Sequence, residues 1–145
     1  MDYSHYRQID QIAKRDILDC YNQVTAQYAV DPANILMGGY SGGAIMSLES
    51  ALADVLPVKG FVGLCPELRP ESFTRENVER ATRRGMKGVF LEGEIKWPMP
   101  EEQAMLAVFE SVGLPYQFHI NPGIGHVFPL DFREKLDQAI TFVMS

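Results

Sequence analysis

Four short apolar runs, Ile35–Tyr40, Val58–Cys65, Gly88–Glu92 and Tyr116–Ile120, punctuate the chain, and the segments between them carry apolar residues at helical spacing. Runs of this length predict parallel strands, and the first two, which lack polar alternation, read as covered on both faces. Tyr6, Ile9, Ala13, Ile17, Cys20 and Val24 mark one face of an opening helix that ends before Asp31-Pro32. A second helix, Ala44 to Leu52, follows the first strand almost at once. A third runs from about Thr74 to Arg84, with Arg83 and Arg84 suited to its negative end and Gly85 to a left-handed cap. The fourth starts near Pro100-Glu101-Glu102 and stops at Gly113, and the fifth spans roughly Leu130 to Val143. Strict alternation makes the class α/β, a mostly parallel sheet of about four strands with flanking helices.

If the strands lie side by side in sequence order, right-handed crossovers put the three connecting helices on one face of the sheet. Only the last helix then reaches the other face, and the first strand is an open edge. Ile35-Leu36-Met37 nevertheless look apolar on both sides. A relocated opening helix, a second copy of the chain or a preceding stretch of polypeptide would each cover them.

The chemistry sits where the first strand ends. Gly39-Tyr40-Ser41-Gly42-Gly43 is a G-x-S-x-G string between a strand and a helix, the context in which that string places a serine on a sharp, strained turn. Its glycines let the helix leave close beside the strand. The helix N-terminus, with its free amides and partial positive charge, favours an oxyanion forming next to Ser41. After the last strand comes Asn121-Pro122-Gly123-Ile124-Gly125-His126-Val127-Phe128-Pro129, which puts His126 on a loop at the carboxyl edge of the sheet, where open α/β sheets bind ligands. A neutral imidazole there is the base that can take a serine proton. His119 lies within a strand and His5 near the start of the chain, so both read as structural or solvated.

Composition narrows the partners. The 145 residues are 46% hydrophobic, enough for one globular domain spanning 1–145. A net charge of −6 with no dense basic cluster argues against nucleic acid and anionic membrane surfaces, and leaves a small-molecule substrate. Cys20 and Cys65 lack C-x-x-C spacing and read as buried free thiols, which suits a reducing cytoplasm. No apolar run approaches membrane-spanning length, and the histidines and cysteines do not cluster at metal-ligand spacing, so neither metal nor organic cofactor is expected.

Asp31-Pro32-x-x-Ile35 before the elbow, the elbow itself, Cys65-Pro66 after the next strand and Gly125-His126-x-Phe128-Pro129 together resemble the C-terminal half to two-thirds of an α/β-hydrolase of the dienelactone hydrolase and phospholipase/carboxylesterase type. The resemblance runs from about Asp10 onward. It implies Ser41 as nucleophile, His126 as general base and the Gly42 amide as one oxyanion donor. Two departures stand out. The resemblance places the triad acid three residues after a glycine, where Gly93-Glu94-Ile95-Lys96 puts Lys96, and a lysine cannot orient the histidine. Glu94 is the first substitute, Glu67 the second and Glu92, still within the strand, the third. The strands that precede the elbow in such enzymes, and the loop with the second oxyanion amide, have no counterpart in the sequence. The expected activity is cleavage of small carboxylic esters or thioesters, with Tyr40, Trp97, Met99 and Phe128 lining an apolar substrate pocket. A homodimer or an N-terminal half would cover the open edge. A non-catalytic binding or assembly module that has lost its acid, or a truncated fragment with a degenerate acid position, is the alternative.

Overall fold

The computed structural model describes residues 4–66 and 73–145, the side chains of residues 4–10 excepted. Among these, helix and strand alternate as α1 (Ser4–Gln27), β1 (Leu36–Tyr40), α2 (Gly42–Leu52), β2 (Gly60–Leu64), α3 (Arg75–Arg83), β3 (Lys87–Gly93), α4 (Pro100–Val112), β4 (Tyr116–Asn121) and α5 (Phe132–Met144). The strands lie in the order β1-β2-β3-β4 with every pair parallel.

The pleat divides the core in two. Phe61 and Phe90 point to the face carrying α2, α3 and α4, where they meet Leu48, Leu52, Val78, Met105 and Phe109. Val62, Leu64, Val89 and Leu91 point the other way, onto Ala139 and Val143 of α5. This is the division that in-order strands and right-handed crossovers dictate. The aromatic centre is edge-packed, with Phe61 and Phe90 ring centroids 5.1 Å apart. β2 is buried throughout, whereas β1, which among the described residues pairs only with β2, mixes half-buried and exposed residues, as an edge strand does.

Local signals set most boundaries. Thr74 caps α3, its hydroxyl accepting from the Asn77 amide at 3.3 Å. Pro100 opens α4, and Gly113 at φ 72° closes it. Gly85, at φ 76°, follows Arg84, the residue that caps the end of α3. Three expectations need correcting. α5 starts at Phe132 rather than Leu130, because the Pro129 carbonyl accepts from the Phe132 amide in a turn that leaves Leu130 fully exposed. The inward stripe of α1 runs through Ile17 and Tyr21, one helical turn apart and both packed on the core, while Ile12, Leu18 and Val24 face outward. Cys20 falls on that outward side and is exposed, whereas Cys65 is buried. Among the described residues, no helix is long and apolar enough to cross a membrane.

Candidate active site

β1 delivers the chain to Ser41, which sits at φ 53° and ψ −120°, a region that L-residues adopt at a cost of about 1–3 kcal/mol. The surroundings fix it there. Its amide donates to the Leu64 carbonyl at 2.9 Å, and its carbonyl accepts from the amides of Ala44 and Ile45 at 2.9 and 3.2 Å. The turn is tight enough that a Cβ on Gly39 would overlap the Gly43 carbonyl and lie 2.7 Å from the Ala44 nitrogen. Above the turn there is room, since a Cβ on Gly42 or Gly43 would meet nothing within 4 Å. Gly42 opens α2, so its amide is one of the first-turn donors that no helical carbonyl can accept. An oxyanion formed at Ser41 could take it.

The loop after β4 brings His126 to this turn, with Nε2 2.8 Å from Ser41 Oγ. On one side the loop is tied to β1, because the Tyr40 hydroxyl donates to the His126 carbonyl at 2.7 Å and the Tyr40 ring packs against both His126 and Phe128, at 5.1 and 4.8 Å between centroids. Tyr40 therefore holds the histidine loop as well as lining a groove, a role the sequence did not reveal. On the other side the loop lies against the end of β3. The Gly123 amide donates to Glu94 Oε2 at 2.8 Å, and the Ile95 amide donates to the Ile124 carbonyl at 3.1 Å. Gly93 permits this approach, since a Cβ there would overlap the Gly125 carbonyl.

Among the described residues, no carboxylate orients the imidazole directly. His126 Nδ1 is buried without a hydrogen-bond partner among the described residues. Glu94, the first expected acid, is exposed and bonded to the Gly123 amide instead, because its place one residue beyond β3 faces the turn rather than the ring. Lys96 is exposed as well. Glu67 lies outside the described residues. Glu92 is buried at the end of β3, and its Oε1 accepts from the Gly93 amide at 2.8 Å.

An apolar groove of about 320 Å³ runs beside the edge strand, lined by Gly39, Tyr40, Leu64, Phe128, Phe132 and Leu136 among others. Tyr40 and Phe128 thus share a concave surface. Trp97 does not line that groove: it packs on Phe118, 4.6 Å between centroids, on the α4 side of the sheet. Met99 is the residue preceding α4. His119 stays within β4, its Nε2 3.2 Å from Gln117 Oε1.

Glu92 has a second acid for a neighbour. Glu102 in the first turn of α4 is fully buried, and among the described residues neither of its oxygens, nor Glu92 Oε2, meets an N–H or O–H donor. Burial, and then the facing Glu92 carboxylate, push the Glu102 carboxyl up to about 9, with Lys96 acting weakly in the opposite direction. A hydrogen bond between the two therefore requires a proton held between them. Burial and Glu92 likewise push the Cys65 thiol up to about 11. Because the Glu102 carboxyl is raised on folding, its contribution to stability is complete below its ordinary value of 4.5 and is lost as pH rises toward 9. Glu102→Gln removes that dependence. Its melting temperature relative to the parent should therefore rise between about pH 5 and about pH 9, and parallel melting curves across that range would contradict the assignment.

The fold has counterparts among solved structures. An uncharacterized protein from Bacillus cereus ATCC 10987 superposes with a TM-score of 0.82 at 24% identity, over 94% of this chain and 44% of its own. A dienelactone hydrolase-like promiscuous phosphotriesterase from metagenomic libraries gives 0.73 at 16% identity, over 97% and 63%. S-formylglutathione hydrolase from Staphylococcus aureus gives 0.68 at 18%, over 100% and 66%. These likenesses establish the fold, and the chain spans between 44% and 66% of the length of these three structures. No curated protein matches the chain significantly. The family model for phospholipases/carboxylesterases matches residues 6–143, nearly the whole sequence, and the chain belongs to that family.

Proposed function

We propose that the chain is a serine hydrolase that cleaves carboxylic esters or thioesters of small substrates through an acyl-serine intermediate. The observation that carries this reading is the 2.8 Å approach of His126 Nε2 to the hydroxyl of a serine on a strained strand-to-helix turn. Ser41 Oγ attacks the carbonyl carbon as its proton passes to His126 Nε2. The Gly42 amide stabilises the oxyanion, and the imidazolium returns the proton to the leaving alcohol or thiol. Water then repeats the sequence in reverse order and frees the acid. Tyr40 and Phe128 offer the acyl group an apolar wall, and a groove of about 320 Å³ suits short chains. Membership of a phospholipase/carboxylesterase family and the likeness to a thioester hydrolase of Staphylococcus aureus support the substrate class.

A second copy of the chain, or a further stretch of polypeptide, is proposed to cover β1, whose outer edge pairs with nothing among the described residues. A binding or assembly module without turnover is the competing reading, and the unpartnered His126 Nδ1 favours it. Hydrolysis of p-nitrophenyl acetate and of an acetyl thioester decides between them. Turnover that Ser41→Ala abolishes supports the hydrolase, while turnover unchanged by that substitution contradicts it.

A further inference from the structure

Tyr40 is the last residue of the edge strand β1 and immediately precedes Ser41, yet its side chain is spent on the histidine rather than on the serine. Its hydroxyl reaches 86 positions along the chain to the His126 carbonyl at 2.7 Å, and its ring centroid lies 5.1 Å from that of the imidazole. The same ring packs 4.8 Å from Phe128, which in turn meets Phe132 of α5 edge-on at 4.8 Å. Aromatic contacts thereby join β1, the histidine loop and α5. Other restraints fix the main chain on either side of His126. From β3 and the turn beyond it come the close approach of Gly93 to the Gly125 carbonyl, the Glu94 carboxylate on the Gly123 amide and the Ile95 amide on the Ile124 carbonyl. From β2, Cys65 Sγ lies 3.9 Å from the carbonyls of Gly125 and Val127. Among the described residues, the hydrogen bonds and ring contacts of residue 126 itself are to Ser41 Oγ and to Tyr40.

Resting on the hydrolase reading, we propose that Tyr40 is a positioning residue for His126: its hydroxyl latches the main chain at residue 126 and its ring packs beside the imidazole, so that Nε2 stays within hydrogen-bond reach of Ser41 Oγ. Nucleophile and base then share one support. The Ser41 amide is bonded to the Leu64 carbonyl of β2, so the residue that carries the latch is fixed by the same turn that fixes the serine. Proton transfer from Ser41 needs the 2.8 Å separation to be kept as the hydroxyl attacks, and a displacement of about 1 Å costs roughly 10²-fold in rate. The Tyr40 hydroxyl itself moves no proton, since it donates to a backbone carbonyl. Its effect is also independent of whatever meets His126 Nδ1, because the latch bears on the main chain. Losing the hydroxyl should therefore weaken the chemical step and leave acyl binding as it was, although Tyr40 also lines the groove.

The test is Tyr40→Phe in the full chain, which keeps the ring and the groove wall and removes only the hydrogen bond. Steady-state hydrolysis of p-nitrophenyl acetate should show kcat lower by about 3- to 10-fold with KM unchanged, the range that one hydrogen bond of this kind supplies. Labelling of Ser41 by a fluorophosphonate should slow by a similar factor, because it needs an activated serine and not the ester. The melting temperature should stay within about 4 °C of the parent. Tyr40→Leu removes the ring as well and should lower kcat further, toward about 10²-fold. Parental kcat and labelling in Tyr40→Phe, a change confined to KM, or a rate lost only in step with unfolding overturns the inference. Ser41→Ala in the same assay separates the two claims. If it leaves hydrolysis intact, the hydrolase reading itself fails. If it abolishes hydrolysis while Tyr40→Phe behaves as the parent, only the positioning role of Tyr40 fails.

Discussion

Replacing His126 by alanine is expected to leave a folded protein whose esterase turnover falls by about 10²–10⁴, the range that general-base catalysis supplies. The loss falls on chemistry because the ring nitrogen that meets Ser41 Oγ is removed, while the contact that anchors the loop is kept. Tyr40 donates to the backbone carbonyl at position 126, and that carbonyl survives in alanine. Steady-state kinetics with p-nitrophenyl acetate, read beside a thermal melt, check both halves of the expectation. Parental turnover would show that Ser41 is activated by something other than this imidazole.

Gly39→Ala should do more damage than its single methyl suggests. The added Cβ would overlap the Gly43 carbonyl and crowd the Ala44 nitrogen, both backbone atoms that cannot rotate away. Either α2 moves off β1 or the turn at Ser41 opens. Overpacking of this kind costs about 1–3 kcal/mol and should lower Tm by roughly 3–10 °C. It should also displace Ser41 Oγ from its 2.8 Å contact, so activity falls further than stability alone accounts for. Circular dichroism melts and the same ester assay measure the two effects. A parental Tm would mean that the close approach of α2 to β1 is not a requirement of the fold.

Much of this architecture is written in short-range pattern. Apolar runs marked the strands, Thr74, Pro100 and Gly113 marked helix ends, and the glycines around Ser41 marked the elbow, because each of these signals acts within a few residues. The meeting of Ser41 with His126, 85 positions apart, was legible because consecutive parallel strands bring their carboxyl ends to one edge. What the sequence hid depends on which way a side chain points once the sheet is assembled. Glu94 and Glu92 differ by two positions, yet one ends on a solvated turn and the other under the sheet edge. Glu102 figured in the sequence only as part of the Pro100-Glu101-Glu102 start of the fourth helix. Its spacing from Met105 and Phe109 was the signal that it faced the core. Trp97 looked like a pocket residue from its neighbourhood in the chain, but the connection from β3 carries it to Phe118. Cys20 and Val24 fell on the outer side of α1 because the inward stripe passes through Ile17 and Tyr21.

The central claim is that Ser41 is a nucleophile activated by His126, and a fluorophosphonate probe read by intact mass tests it most directly, because labelling needs an activated serine rather than the natural substrate. The account predicts rapid addition of a single probe to the parent and none to Ser41→Ala or His126→Ala. Absence of an adduct on the folded parent, or an adduct that persists in Ser41→Ala, would contradict it.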